Sequence, residues 1–282
     1  MLNLKKLPER TLSLLGTVLE TILRFSASPA AAEGSPEEIA KALLAAEAVY
    51  NIDQAVAMFT DDAVVSLGNG QVINTRDGIR QWQQELAAGH FHFEAVNIHA
   101  EGSTVSWTGA SSLDAFRHLG IAAMGSNWKV VIANDKIKTF DFTFTPEALT
   151  SLQAGIVVAT LIDAENAHDV EKAVATFAAD AIVRHEGGAA FETTDAIRKW
   201  QQGLADGNFH LEPVGLVVEG NVVRWVGAVS LDNFRKLGIA TLDGVWKLVI
   251  EGGKIKTFDY SWTPEAAQKL KAAVEAQTKS AS

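Results

Sequence analysis

The sequence contains no cysteine, which excludes disulfide bonds, thiolate nucleophiles and cysteine-ligated metal sites. Basic residues are scarce: 24 Lys and Arg stand against 34 Asp and Glu, for a formal net charge of −10. An acidic surface repels phosphate backbones, so we expect no nucleic-acid partner. No apolar run approaches the roughly 20 residues of a membrane-spanning helix, so we expect no transmembrane segment. A composition of 48% hydrophobic and 21% charged residues is that of a globular protein.

The most informative feature of the chain is an internal repeat. The segment DGIRQWQQELAAGHFHFEAV, which starts at Asp77, returns as DAIRKWQQGLADGNFHLEPV from Asp195. The segment KIKTFDFTFTPEA, which starts at Lys136, returns as KIKTFDYSWTPEA from Lys254, again 118 positions later. Roughly half of the aligned positions are identical, and a period of this length is that of a whole domain rather than of a solenoid unit.

The repeat sets the predicted domain boundaries. Residues 35–152 form the first domain and residues 153–276 the second, with residues 1–34 before them and a short tail at 277–282. We refer to the two domains as repeat one and repeat two. Each is long enough to bury a hydrophobic core of its own.

Each repeat has the pattern of helices followed by a sheet. In repeat one, SPEEIAKALLAAEAVYN predicts a helix with Ser35 as its N-cap, IDQAVAMF a second, and TRDGIRQWQQELAAG a third that ends at Gly89. Strands are predicted at DAVVSL, FHFEAVNIHAEG, STVSWTGASS, WKVVIA and KIKTFDFTF. Three helices packed on a curved antiparallel sheet make an α+β domain.

Several of these segments are similar to the nuclear-transport-factor-2-like superfamily, in its branch of SnoaL-like polyketide cyclases and ketosteroid isomerases. They are the strand entries FTDDAVV and FAADAIV, the RDGIRQW helix, the AEG and VEG turns, and the final hairpins at DKI and GKI. The resemblance covers nearly all of both repeats. It implies two cone-shaped domains, each with a cavity between helices and sheet. Because such domains commonly dimerise through their sheets, it also implies an intramolecular pseudo-dimer.

The last hairpin of each repeat predicts which side chains line that cavity. With a two-residue turn in the NDK segment, Val131 lies opposite Lys138, and Lys129 lies opposite Phe140. The resemblance implies that this face looks into the cavity. A tryptophan of the third helix suits either a cavity wall or core packing. The predicted ligand-binding residues are Trp82, Lys129, Phe140 and Phe142 in repeat one and Trp200, Phe258, Tyr260 and Trp262 in repeat two.

The groups that carry catalysis in the steroid isomerases are missing from both repeats. The resemblance places their carboxylate base at Leu67 and His185, their oxyanion-hole acid at Lys129 and Lys247, and their helix-one tyrosine at Leu43 and Leu161. We therefore expect no ketosteroid isomerase activity by the mechanism of that family.

Repeat two differs from repeat one at the end of its first strand. There IVRHEGG replaces VVSLGNG, so that Leu67 becomes His185. If His185 shares a cavity with Lys247, a base and a cation lie together. Such a pair can abstract a proton next to a carbonyl and stabilise the enolate. The alternative is that His185 lies at a solvated strand end while Lys247 reaches past Phe258 to the rim.

Asp141 and Asp259 occupy identical contexts, each inside a TFD segment. An acid between β-branched and aromatic residues suits a catalytic group, and Asp259 is our third catalytic candidate. It equally suits a structural ion pair with a lysine or arginine across the pseudo-dimer interface. We favour the structural pairing.

The seven histidines do not form a metal motif. His90, His92 and Glu94 alternate on one strand face, but Asn208 replaces His90 in repeat two. No HxxxH motif or carboxylate cluster accompanies them. We predict no metal site and no cofactor.

The first residues of the chain lie outside the repeat. Between residues 8 and 25 they predict an amphipathic helix, followed by a linker rich in Ser, Pro and Ala. We expect this helix to dock on the domains or on a protein partner, in a cytoplasmic protein. The alternatives are a membrane-surface helix and a secretory signal comprising residues 1–32, which would make the protein an exported one. The apolar stripe of the helix consists of Leu12, Leu15, Leu19, Ile22 and Phe25.

Two functions of different classes fit these features. Our leading hypothesis is a protein that binds a small apolar or aromatic molecule with a carbonyl or acid group in an apolar cavity. Any turnover would be cofactor-free acid/base chemistry of the isomerase, cyclase or lyase type in repeat two. The alternative is a non-catalytic scaffold that uses the pseudo-dimer and the N-terminal helix and can form homo-oligomers. An open cavity favours the first hypothesis and a filled one favours the second.

Overall fold

The computed structural model describes residues 34–186, 188 and 190–281. The helix predicted at residues 8–25 lies outside the described residues. The chain divides into two compact units with the boundary between Leu149 and Thr150, except that Leu119–Ile121 group with the second unit. Each unit contains most of one repeat, since residues 150–152 of repeat one also group with the second unit. The predicted pseudo-dimer concerns the arrangement of the units and stays a prediction.

Repeat one begins with a helix whose first turn is fixed by its own side chains. The Ser35 hydroxyl accepts from the backbone N–H of Glu38, and the Glu38 carboxylate accepts from the N–H of Ser35 at 2.7 Å. This capping box satisfies two donors that a helix start leaves unpaired. The third helix is capped by Thr75 and ends at Gly89, as predicted. The elements are α1 Pro36–Ala48, α2 Ile52–Ala57, β1 Phe59–Ser66, β2 Val72–Ile73, α3 Arg76–Ala88, β3 His92–Glu101, β4 Thr104–Ser112, α4 Asp114–His118, β5 Met124–Ala133 and β6 Lys136–Phe144.

Repeat two has the same elements in the same order, followed by a C-terminal helix, and its first helix begins within the last residues of repeat one. Its third helix is capped by Thr193 and ends at Gly207, the positions that match Thr75 and Gly89. The elements are α5 Pro146–Asn166, α6 Val170–Val174, β7 Phe177–His185, β8 Ala190–Phe191, α7 Thr194–Asp206, β9 His210–Glu219, β10 Val222–Ser230, α8 Asp232–Lys236, β11 Leu242–Glu251, β12 Lys254–Trp262 and α9 Pro264–Ala281.

Each repeat builds one six-stranded sheet, in the order β2-β1-β6-β5-β4-β3 and β8-β7-β12-β11-β10-β9. Neighbouring strands are antiparallel, except that β1 pairs with β6 and β7 with β12 in parallel. The exception follows from connectivity, because hairpin turns join only antiparallel strands and these two partners are the first and last long strands of a repeat. The predicted fold class, two tandem α+β cone domains with helices on curved sheets, is confirmed.

The last strand of each repeat contains one extra residue. In repeat one Ile137 pairs with Ile132 but Thr139 pairs with Val131, so Lys138 is bulged out of the ladder. The amine of Lys138 binds the carboxylate of Asp62. Because successive strand residues alternate between faces, the bulge reverses the face of every later residue of β6.

The inner side of each sheet, which faces the helices, carries the core. In β11 the buried residues alternate with exposed ones, so Trp246 and Leu248 are inner and Lys247 is outer. In repeat one Ile39 and Leu43 of α1 are at most 1% exposed and belong to the same cluster as the sheet residues. The helices therefore close each cone from its inner side.

Helix α5 is long and apolar enough to cross a membrane by length and composition, with a mean hydropathy of 1.3 over its best window. Among the described residues it is the one helix that passes this test, which a core helix of a soluble protein also passes. Its residues Val158 and Leu161 are fully buried in the core of repeat two. Core packing thus accounts for its apolar character.

We predict that Gly109→Ala destabilises repeat one by about 1–3 kcal/mol. A Cβ at Gly109 would lie 2.1 Å from the carbonyl oxygen of Glu94 and 2.6 Å from Cζ of Phe93, so β3 would have to move away from β4. The measurement is urea unfolding. Gly203→Ala is the control, because no atom lies within 4 Å of a Cβ there, and a helical alanine stabilises by up to about 1 kcal/mol. Equal stability of Gly109→Ala and the wild type would contradict the close approach of these strands.

Candidate functional site

The inner side of repeat two is lined by aromatic rings from one helix and one strand. Trp200 lies on α7, and Phe258, Tyr260 and Trp262 follow the bulge on β12. Trp200 packs edge-to-face on Phe258 at 5.3 Å between ring centroids and stacks on Tyr260 at 6.1 Å. These four predicted ligand-binding residues therefore share the inner side.

His185 lies at the end of β7, beside these rings. Its imidazole is 4.5 Å from the ring of Tyr260 and 6.2 Å from that of Trp262, measured between centroids. Its Nε2 atom is buried and has no hydrogen-bond partner among the described residues. A buried polar atom without a partner costs about 1–3 kcal/mol, so such an atom calls for an explanation.

The turn that follows His185 is strained. Glu186 has a φ of 50°, in the left-handed region that favours glycine. The N–H of Glu186 donates to the carbonyl oxygen of Tyr260 at 3.0 Å, which ties this turn to β12. The strained residue thus helps to hold His185 against Tyr260.

A buried carboxyl, which the sequence analysis missed, lies in the helical layer behind the rings. Glu165 of α5 is 6% exposed and accepts a hydrogen bond from Nε2 of Gln201 at 2.7 Å. Burial raises the pKa of Glu165 from 4.5 to about 7, although the bond from Gln201 acts in the opposite direction. Burial also raises the pKa of the Tyr260 hydroxyl, and the charge of Glu165 adds to that rise.

Repeat one has the same buried pair. Glu47 is 6% exposed, accepts from Nε2 of Gln83 at 2.7 Å, and has a pKa that burial raises to about 7. Helical spacing could have revealed it, because Ile39, Leu43 and Glu47 follow one another at intervals of four along the apolar face of α1. The presence of the pair in both repeats indicates a contribution to the fold that does not depend on His185.

Lys247 and Asp259 lie on the opposite side of the sheet from His185. They lie opposite each other in the ladder of β11 and β12, and both line a groove of ≈ 380 Å³ on the outer side. Nη1 of Arg184 donates to Asp259 at 3.1 Å. The predicted cavity shared by His185 and Lys247 is therefore wrong, and so is the predicted register, because the bulge at Lys256 places Lys247 opposite Asp259 rather than Phe258. Asp259 therefore forms an ion pair within its own sheet, whereas the pairing was predicted across the pseudo-dimer interface.

Repeat one places hydrophobic side chains where repeat two has the histidine and tyrosine. Leu67 and Phe142 replace His185 and Tyr260, and Trp128 packs 4.5 Å from Phe142 and 5.4 Å from Phe140. Trp82 lies 5.1 Å from Phe140 and is buried. Three of the four ligand-binding residues predicted in repeat one therefore lie on the inner side: Trp82, Phe140 and Phe142.

The fourth, Lys129, is on the outer side of repeat one. It lies opposite Asp141 in the ladder, and both line an outer groove of ≈ 400 Å³. The prediction that Lys129 faces the cavity is wrong for the same reason as in repeat two. The bulge at Lys138 separates the face of Lys129 from that of Phe140.

Within the described ranges, no three His, Asp or Glu side chains come close enough together to hold a metal ion. The arrangement in repeat two offers an imidazole, a phenol and a carboxyl of raised pKa near one aromatic surface. These groups can exchange protons and donate hydrogen bonds without a metal.

Comparison with protein families places a SnoaL-like domain at residues 158–258. The matched residues lie within repeat two, which is thus similar to the branch that the sequence resembles. A comparison with curated proteins found no significant match.

Solved structures similar to this chain each cover about two fifths of it. They include an NTF2-like protein of unknown function from Cytophaga hutchinsonii (15% identity, 40% of this chain and 91% of that one, TM-score 0.34). They also include an epoxide hydrolase/cyclase-like enzyme of pyran ring formation in salinomycin (20%, 41% and 94%, TM-score 0.38). Another is a protein of ketosteroid isomerase-like fold from Catenulispora acidiphila, in complex with trimethylamine (15%, 40% and 90%, TM-score 0.36).

We predict that Glu165→Gln stabilises the protein at pH 8 but not at pH 4. The carboxyl of Glu165 has a pKa of 4.5 in the unfolded protein and about 7 in the folded protein. It therefore does not destabilise the folded protein below pH 4.5, and the protein loses stability as the pH rises through 7. The full difference is on the order of 3 kcal/mol. Urea unfolding of both proteins at the two pH values measures it.

Glu101→Gln, which changes an exposed carboxylate, is the control for that series. Its effect should be small at both pH values. A stabilisation by Glu165→Gln that is the same at pH 4 and pH 8 would show that the pKa of Glu165 is not raised in the folded protein above its unfolded value.

We predict that Asp259→Asn costs less than about 1 kcal/mol of stability and leaves binding on the inner side unchanged. The side chains of Asp259 and Arg184 are 39% and 42% exposed, so water screens their attraction. Urea unfolding and a binding measurement on the same preparation provide the test. Lost binding in a normally folded Asp259→Asn protein would return Asp259 to the list of functional residues.

Proposed function

We propose that repeat two binds a small apolar or aromatic molecule with a carbonyl or acid group on the inner side of its sheet. We further propose that cofactor-free acid/base chemistry of the isomerase, cyclase or lyase type takes place there. The observation that carries this proposal is the buried, unpartnered Nε2 of His185 beside Tyr260. A bound oxygen would supply the missing hydrogen-bond partner, and the surrounding rings would supply apolar contact.

The chemistry follows from the groups present. Neutral imidazole accepts a proton from a carbon next to the carbonyl of the ligand, and the electron pair of the broken C–H bond moves towards the carbonyl oxygen. The Tyr260 hydroxyl, whose pKa is raised by burial, stays protonated and donates to that developing oxyanion. His185 then returns the proton to another atom of the same molecule, so no oxidant or reductant is needed.

Glu165 supports this site from behind. Its carboxyl has a pKa of about 7, and its charge acts on Tyr260. When Glu165 ionises, its charge disfavours negative charge on the ligand oxygen held by Tyr260. The neutral form of Glu165 is therefore the one that suits catalysis.

Repeat one favours the second function considered, a structural role. Repeat two has His185 and the Tyr260 hydroxyl on its inner side. In repeat one Trp128 packs against Phe140 and Phe142 on that side, and Leu67 takes the place of the histidine. We propose that repeat one serves as a scaffold while repeat two binds the ligand.

We predict that native mass spectrometry of the protein, purified gently from its own cells, shows a small adduct that is lost on denaturation. His185→Leu and Tyr260→Phe should each reduce the adduct several-fold, because each removes a group that hydrogen-bonds the ligand. Both variants should fold, because repeat one has these residues at the matching positions. His210→Leu is the matched control, since the side chain of His210 is 52% exposed on β9. The absence of an adduct, or an adduct indifferent to both variants, would overturn the proposal.

A further inference from the structure

We infer that Gly244 keeps the proposed binding site accessible by allowing Trp246 to fold back along β11, away from Tyr260. This inference rests on the proposed function, because it concerns access to the same inner side. Gly244 and Trp246 are both inner residues of β11 and pair with Trp262 and Tyr260 respectively. They therefore lie directly beside the rings that surround His185.

In repeat two the indole lies over the glycine. A Cβ at Gly244 would be 2.5 Å from Cη2 of Trp246 and 2.9 Å from its Cζ3. Contacts below 3.0 Å do not occur, so a side chain at this position and the present indole position exclude each other. The indole stacks on Trp225, with 5.6 Å between centroids and 1° between planes, as Trp128 of repeat one stacks on Trp107 at 6.1 Å and 8°. In the described part of the chain, Trp225 is the ring with which Trp246 pairs.

Repeat one shows the arrangement that a side chain enforces. Ser126 replaces Gly244, and its Oγ accepts from Nε1 of Trp128 at 2.7 Å. Trp128 then lies 4.5 Å from Phe142, which is the counterpart of Tyr260. In repeat one, where Ser126 is present, Trp128 packs onto the last strand. In repeat two, where Gly244 is present, Trp246 packs onto Trp225 and not onto the last strand.

The two arrangements predict what Gly244→Ser does. The new Cβ displaces the indole, and the hydroxyl offers Nε1 of Trp246 the acceptor that Ser126 offers Trp128. The displaced ring packs against Phe258 and Tyr260 and covers the face of Tyr260 that a ligand needs. Gly244 is accordingly a positioning residue, which acts through Trp246 and touches no ligand itself.

The test uses 4-nitrophenol as the probe, since it combines a flat ring with a hydroxyl and its absorption reports hydrogen bonding and ionisation. Wild-type protein should bind it, and Gly244→Ser should weaken binding by about tenfold or more. The double variant Gly244→Ser with Trp246→Leu should recover binding, because it removes the obstructing ring and keeps the serine. Gly203→Ala and, in repeat one, Ser126→Gly should bind like wild type.

A readout without ligand tests the geometry separately. The indole N–H resonance of Trp246, identified through Trp246→Phe, should shift in Gly244→Ser as a new hydrogen bond to serine forms. If the Trp246 resonance does not shift in a folded Gly244→Ser protein, the inference is wrong, regardless of the result with 4-nitrophenol.

The outcomes separate the two proposals. If 4-nitrophenol binding depends on His185 but is equal in wild type and Gly244→Ser, the role of Gly244 is wrong and the proposed function stands. If wild type binds no better than His185→Leu, the proposed function is wrong for this probe, and the resonance of Trp246 still decides the geometry. If the double variant binds as poorly as Gly244→Ser, the indole is not the obstruction and the inference fails.

Discussion

One extra residue in the last strand of each repeat decides what each cone contains. The bulges at Lys138 and Lys256 turn the aromatic residues that follow them towards the helices and turn Asp141 and Asp259 outwards. Both bulged lysines bind an aspartate of the first strand, Asp62 or Asp180. Because a shift of one residue exchanges the two faces of a strand, the core and the proposed site both depend on this local irregularity.

The two repeats share this fold but have different side chains on the inner side of the sheet. In repeat one the space is filled by aromatic rings packed against one another, and their burial stabilises the fold directly. Repeat two buries an imidazole nitrogen and a phenol in the corresponding place. A buried imidazole nitrogen without a hydrogen-bond partner weakens a core, so His185 imposes a cost that ligand binding would offset.

The sequence predicted the architecture well because the repeat and its periodic helices and strands are local features. It placed the capping residues Ser35 and Gly89 correctly, and it brought Trp200 and Tyr260 to one side. It could not reveal the bulge, since KIKTFD alternates equally well in either register. Every error about Lys129 and Lys247 follows from that. Glu165 was missed although it lies four residues after the buried Leu161 on the same helix, and its hydrogen-bond donor Gln201 lies on another helix.

The central claim is that Nε2 of His185 meets a ligand on the inner side of repeat two. The most direct measurement is the ¹⁵N NMR spectrum of the His185 ring, recorded on ¹⁵N-labelled protein from its own cells before and after the bound molecule is stripped. We predict that the Nε2 shift changes on stripping. An Nε2 shift identical in both states, in a protein that carries an adduct, would contradict it.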